Sequence, residues 1–76
     1  IQDGPETSPA VERLSEREME VLNLVANGLS NKEVAERLHL ASTTVRDHMQ
    51  SVMRKLQVKS RTGAAVAGFR QGLLTA

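Results

Sequence analysis

The stretch STTVRDHMQSVMRKL, from Ser42 to Leu56, decides the fold, because its residues separate into two faces at helical period. The apolar face holds Val45, Met49, Val52, Met53 and Leu56. The polar face holds Thr43, Arg46, Asp47, Gln50 and Arg54. The apolar face predicts packing against a core, but the polar face has two interpretations. Guanidinium, amide, hydroxyl and carboxylate groups suit a solvated surface, and they are also the groups that read base edges in DNA.

Two shorter helices are predicted before this stretch, and each begins at a capping box. SERE, Ser15 to Glu18, places a hydroxyl and a carboxylate for reciprocal bonds to backbone N–H groups, and SNKE, Ser30 to Glu33, repeats the pattern. The first helix is predicted to end near Asn27, where Gly28 can adopt the left-handed cap conformation. The second is predicted to end near Leu38. Their apolar faces hold Met19, Leu22, Val25 and Ala26, and Val34, Ala35 and Leu38.

The short connection HLAS leads from the second helix into the third, which we expect to run from about Ser42 to Gln57. Two helices joined by so short a turn have the outline of a helix-turn-helix, whose second helix lies in the major groove of DNA. A fourth helix is predicted from a cap at Ser60 to about Gln71, with Gly72 as its stop. No strand-like alternation is present, so the fold class is all-α, a compact four-helix domain containing a helix-turn-helix.

Size and composition exclude several classes of function. Seventy-six residues form one modest core and leave no room for a large enclosed active site. The absence of cysteine excludes disulfides and thiolate chemistry, and His39 and His48 are too far apart to suggest a metal site. Capping and outer helix faces account for the glutamates without catalysis: Glu16, Glu18, Glu20, Glu33 and Glu36. We therefore expect no enzyme activity, no catalytic residues, no metal and no cofactor.

Residues 1 to 13 are interpreted as a flexible linker or tail, and residues 14 to 76 as the folded domain. The first segment contains Gly4, Pro5 and Pro9 and too few apolar residues to form a core. Because the sequence begins at Ile1, we expect it to be a segment of a longer protein or a processed form. It has neither a signal peptide nor an apolar run of the roughly 20 residues that a membrane-spanning helix needs. A cytoplasmic location without membrane contact is expected.

The net charge of +1 conceals an uneven distribution. Residues 1 to 20 contain six acidic and two basic residues, a net charge of −4. Residues 38 to 76 contain six basic residues against Asp47 alone, a net charge of +5. A basic C-terminal half is compatible with a nucleic-acid partner despite the small total.

The ordered motifs L-S-x-R-E-x-E-V-L, G-L-S-N-K-E-V-A, T-V-R-x-H and K-L-x-V-x-x-R run from Leu14 to Val66. Together they resemble the C-terminal DNA-binding domain of the LuxR/FixJ/NarL (GerE-like) transcription regulators. The resemblance implies a helix-turn-helix in helices two and three, dimerisation on DNA through helix four, and an N-terminal sensory or receiver module in the full protein. Ala41 stands where the family commonly has Ser at the start of the recognition helix, which leaves Ser42 or Thr43 as alternative caps.

Within this family frame, Arg46 is the first candidate for base contact, because arginine bonds a guanine edge bidentately. Gln50, one turn further on, can pair with adenine. Asp47 has two interpretations, acceptance from cytosine N4 or orientation of Arg46, and we favour orientation. The predicted DNA-binding residues that contact phosphate are Ser30, Asn31, Lys32, Thr43, Thr44, Arg54 and Lys55. For Ser30, ordinary capping is an equally good interpretation.

The predicted dimerisation residues are Ala65, Val66 and Phe69, within an apolar stretch of the fourth helix. One side of that stretch is expected to pack on the core and the rest on a second copy. Double-stranded DNA is the expected partner, and RNA polymerase is a further candidate. Two alternatives stay open: a helical protein-interaction module with a basic face, and a sigma-factor-like helix-turn-helix.

Overall fold

The computed structural model describes residues 13 to 74, and it confirms the all-α prediction. The chain forms α1 (Glu16–Ala26), α2 (Asn31–Leu38), α3 (Ser42–Leu56) and α4 (Arg61–Arg70), with no strand among the described residues. The expected linker lies outside the described residues, apart from the exposed Arg13.

Both capping boxes form as predicted and set where α1 and α2 begin. The Ser15 hydroxyl accepts from the Glu18 backbone N–H at 3.1 Å, and the Glu18 carboxylate accepts from the Ser15 N–H at 2.9 Å. The matching distances for Ser30 and Glu33 are 3.1 and 2.8 Å. Ser60 caps α4 by accepting from the Gly63 N–H at 2.9 Å. These bonds satisfy backbone donors that have no partner inside the helix.

The helix ends differ in how they turn. Gly28 has the predicted positive φ, at 97°. His39 and Gln57, which cap α2 and α3, also have positive φ, 60° in each case, without being glycine. The left-handed conformation of His39 lets the next residue bond back to α2. The Leu40 N–H donates to the Ala35 carbonyl at 2.9 Å, which closes the end of the helix.

The start of α3 has no side-chain cap. Ala41 occupies the N-cap position, with an extended backbone at φ −75° and ψ 148°, and no side chain accepts a bond there. Neither Ser42 nor Thr43 takes over that role, because Ser42 is already the first helical residue. The alternative caps considered from the sequence are therefore not used.

The core lies around α3, which packs against each of the other three helices. Four of its five predicted apolar residues are buried, and Met53 is half-buried. In α1 the prediction was partly wrong, since Val21 is buried whereas Met19 is only half-buried. The buried apolar residues are Val21, Leu22, Val25, Val34, Ala35, Val45, Met49, Val52, Leu56, Ala64 and Leu74.

Gly68 permits the close approach of α4, α1 and the C-terminal segment. A Cβ atom at this position would lie 2.8 Å from Leu74 Cδ1 and 3.2 Å from Leu22 Cδ2. The small residues of α4 therefore admit α1 and the returning chain on this side. The opposite side of α4 remains at the surface.

Candidate nucleic-acid interface

The polar face of α3 forms a continuous exposed row, which we name the outer stripe: Thr43, Arg46, Asp47, Gln50 and Arg54. Its spacing of three and four residues aligns these side chains along one side of the helix. The buried face of α3 fixes the helix against the core, so the stripe is presented on a rigid support. Five predicted DNA-binding residues therefore share one surface.

Arg46 and Asp47 form an exposed ion pair within the outer stripe. Arg46 Nη2 lies 3.5 Å from Asp47 Oδ1, and the two side chains are 59% and 67% exposed. An ion pair this open to water contributes little, about 0 to 1 kcal/mol, so Arg46 can exchange Asp47 for another acceptor at small cost.

The beginning of α2 brings together three predicted phosphate ligands, and one of them is held by α4. Asn31 Oδ1 accepts from Arg61 Nη1 at 2.6 Å, and Arg61 Nη2 donates to the Leu29 carbonyl at 3.0 Å. The Ser30 hydroxyl accepts the capping bond, and Lys32 is exposed. The bond between Arg61 and Asn31 joins residues 30 positions apart, so it leaves no local pattern in the sequence.

Lys55 lies outside the outer stripe and pairs with a carboxylate of α1. Its ammonium lies 2.8 Å from Glu18 Oε1, and the two side chains are only 17% and 8% exposed. Ser51 completes the group by donating to Glu18 Oε2 at 2.6 Å. A lysine that is charge-paired in a half-buried site has less to gain from a phosphate than an exposed lysine. The pair therefore favours a structural role for Lys55, and its contact with DNA stays a prediction.

The sequence predicted the capping role of Glu18 but missed its burial, since the residue as a whole is only 6% exposed. Burial alone would raise the pKa of its carboxyl. Hydrogen bonds from Lys55, Ser51 and the Ser15 backbone outweigh burial and lower the pKa from 4.5 to about 2. The signal was available, because Glu18 continues the buried row of Val21, Leu22 and Val25 at helical spacing.

The outward side of α4 carries the only large apolar residues that are exposed in residues 13 to 74. Val66 is 45% and Phe69 is 46% exposed, and Ala65 is half-buried beside them. The three predicted dimerisation residues are thus near one another on the helix, away from the core-facing Ala64 and Gly68.

Other kinds of site find no support in residues 13 to 74. No group of three or more histidine, aspartate or glutamate side chains is arranged there to hold a metal ion. None of the described helices is long and apolar enough to cross a membrane.

Comparison with known proteins gives consistent matches. Residues 12–67 match the GerE model, described as bacterial regulatory proteins, luxR family. The chain is 43% identical over 63 residues to the response regulator protein VraR of Staphylococcus aureus, a match over 83% of this chain and 30% of VraR. VraR of Staphylococcus epidermidis matches to the same extent. The chain thus spans about a third of the length of these relatives.

Two solved structures share the fold. The transcription factor GerE superposes with a TM-score of 0.78 at 32% identity, over 82% of this chain and 92% of GerE. The response regulator ChrA of a heme-sensing two-component system superposes with a TM-score of 0.80 at 37% identity, over 90% of this chain and 34% of ChrA. The family resemblance carried by the sequence motifs is confirmed. The chain belongs to the luxR family of bacterial regulatory proteins, and its four helices form the DNA-binding helix-turn-helix domain of that family.

Proposed function

We propose that this domain is the sequence-specific DNA-binding output of a bacterial response regulator and that α3 reads the major groove. The observation that carries the proposal is the outer stripe, a row of exposed base-reading side chains on a helix whose other face is buried. At a rise of about 1.5 Å per residue, a helix of 15 residues is long enough to lie along a groove about 12 Å wide.

Within the stripe, Arg46 and Gln50 contact base edges and Arg54 contacts the backbone further along. Arginine pairs with guanine O6 and N7, and glutamine pairs with adenine N6 and N7. Thr43, Thr44 and the start of α2 contact phosphates on either side of the groove. There Lys32 supplies the charge, and the backbone N–H groups of Asn31 and Lys32 in the first turn of α2 are the donors for the same phosphate. The Ser30 N–H already donates to Glu33, so Ser30 contacts the phosphate through its hydroxyl proton.

The domain acts as a dimer on DNA, and the exposed patch of Ala65, Val66 and Phe69 on α4 forms the contact between copies. Burying two half-exposed side chains per copy gives a small interface, so DNA is needed to hold the dimer together. Two-fold symmetry then places two copies of α3 about 34 Å apart on a pseudo-palindromic site.

We further propose that the whole protein is a cytoplasmic regulator whose N-terminal module receives the signal, as the response-regulator relatives suggest. It acts through DNA binding rather than catalysis, and RNA polymerase is a candidate partner of the bound dimer.

Two variants test whether Arg46 contacts bases and Lys32 contacts phosphate, after preferred duplexes have been selected from a random pool. Arg46→Ala is expected to lose about 1 to 3 kcal/mol on the selected site and to relax preference at one base pair. Lys32→Ala is expected to weaken all duplexes alike and to reduce the magnitude of the log–log salt slope by about 0.9. Mobility shifts across a salt series measure both effects.

Equal behaviour of the two variants would contradict these roles. Absence of any preference among duplexes at about 0.15 M salt would instead favour the protein-interaction module, which the exposed Val66 and Phe69 also suit.

A further inference from the structure

We infer that Asp47 is a specificity-determining residue, which rejects most duplexes and accepts those that offer a cytosine amino group beside the guanine read by Arg46. The inference rests on the proposed function and deepens it. It assigns a selective role to the side chain that reduces the positive charge of the outer stripe.

Asp47 is 67% exposed and shares the outer stripe with Arg46 and Gln50, the proposed base readers. A helix that brings both neighbours to base edges carries Asp47 into the same groove, because the three residues lie within about one turn. Asp47 therefore enters the interface or prevents the helix from docking.

Asp47 is the only acidic residue from position 38 to the C-terminus, and the other charges of the stripe are Arg46 and Arg54. A carboxylate entering the groove loses water and faces phosphates and the acceptor atoms of guanine, adenine and thymine. Two base donors face the major groove, cytosine N4 and adenine N6, and cytosine N4 is the one without an acceptor atom beside it on the same base.

The Arg46–Asp47 pair is exposed and spans 3.5 Å, so it constrains Arg46 only weakly in the free protein. When Arg46 turns to a guanine, Asp47 loses its partner and needs another donor. A cytosine in the neighbouring base pair supplies that donor. Guanine and thymine offer only acceptors there, and adenine N6 lies beside the acceptor N7, which repels the carboxylate.

The test compares Asp47→Asn with the unchanged chain, and Glu20→Gln serves as the control. Glu20 pairs with Arg17 at 3.2 Å on α1, with side-chain exposures of 57% and 44%. Its substitution therefore removes a carboxylate that is also mostly exposed and changes the net charge by the same amount. Each protein is used to select duplexes from a random pool. Binding to the selected site and to a random duplex is then measured at fixed salt.

Asp47→Asn is expected to bind random duplexes about tenfold more tightly and to lose the requirement for cytosine at one position, so its site-to-random ratio falls about tenfold. Glu20→Gln is expected to change neither quantity. The inference is overturned if both variants shift affinity by the same factor, or if Asp47→Asn selects the same bases as the unchanged chain. It is also overturned if Asp47→Asn only weakens the selected site, because that result assigns Asp47 to orienting Arg46.

Failure of the underlying function has a separate signature. In that case the unchanged chain itself selects no sequence, whatever stands at position 47. Melting curves of all three proteins are expected to coincide, because both substituted residues are exposed.

Discussion

At the residue scale, Glu18 shows how one side chain serves two elements. It completes the capping box of α1 and also binds Ser51 and Lys55 of α3, so it joins the start of α1 to the later turns of α3. The capping role could be predicted from four consecutive residues. The bond to Lys55 spans 37 positions and depends on the packing of α1 against α3, so local sequence could not predict it.

The lowered pKa of Glu18 predicts acid-sensitive stability. Its pKa falls from 4.5 in the unfolded chain to about 2 in the folded domain, so its stabilisation is fully present above about pH 4.5 and is lost as the pH drops towards 2. Glu18→Gln is expected to lower the free energy of unfolding at neutral pH by about 3 kcal/mol and to flatten this pH dependence. Urea unfolding at a series of pH values measures both changes.

A weaker slope is expected to persist in Glu18→Gln, because hydrogen bonds within the second capping box also lower the pKa of Glu33. If the variant and the unchanged chain show parallel curves from pH 5 to 2, the Glu18 network does not supply the acid sensitivity. Glu20→Gln is the control, since removing an exposed carboxylate is expected to leave neutral-pH stability within about 0.5 kcal/mol.

At the element scale, the helix boundaries were the part of the fold that the sequence predicted best. Ser15, Ser30 and Ser60 each mark a helix start through a bond to the third residue beyond. The left-handed caps at His39 and Gln57 were not predictable as conformations, because neither residue is the glycine that usually signals them. The residues that follow them, Leu40 and Val58, pack against the core and donate their N–H groups to the Ala35 and Met53 carbonyls, and these tertiary contacts accompany both turns.

The uncapped start of α3 predicts a stabilising substitution. Ala41 already has the extended backbone of an N-cap residue, so Ala41→Ser places a hydroxyl where it can accept from a free backbone N–H. We expect a gain of about 1 kcal/mol in the free energy of unfolding, which raises the melting temperature by about 4–8 °C. Thermal unfolding followed by circular dichroism measures the shift.

Ala41→Val is the matched control, because it adds atoms at the same place without an acceptor and is expected to give no such gain. If serine and valine raise the melting temperature equally, capping is not the cause.

At the scale of the whole molecule, family membership and the four-helix architecture were both predictable from ordered motifs. The surface on which each side chain lies was less predictable. Arg46 and Lys55 both looked like basic residues of one helix, yet the structure places Arg46 in the outer stripe and Lys55 against Glu18. Helical period separates inside from outside, but it cannot show that a lysine near the boundary faces a buried carboxylate on another helix. That information lies in the packing of α1 on α3.

The central claim is that α3 reads the major groove as one of two symmetry-related copies. It is tested most directly by methylation interference on a selected duplex, because methylation of guanine N7 alters the major groove and methylation of adenine N3 alters the minor groove. We expect guanine N7 methylation to block binding at two clusters about one helical turn apart. Interference confined to adenine N3, or no interference at either atom, would contradict it.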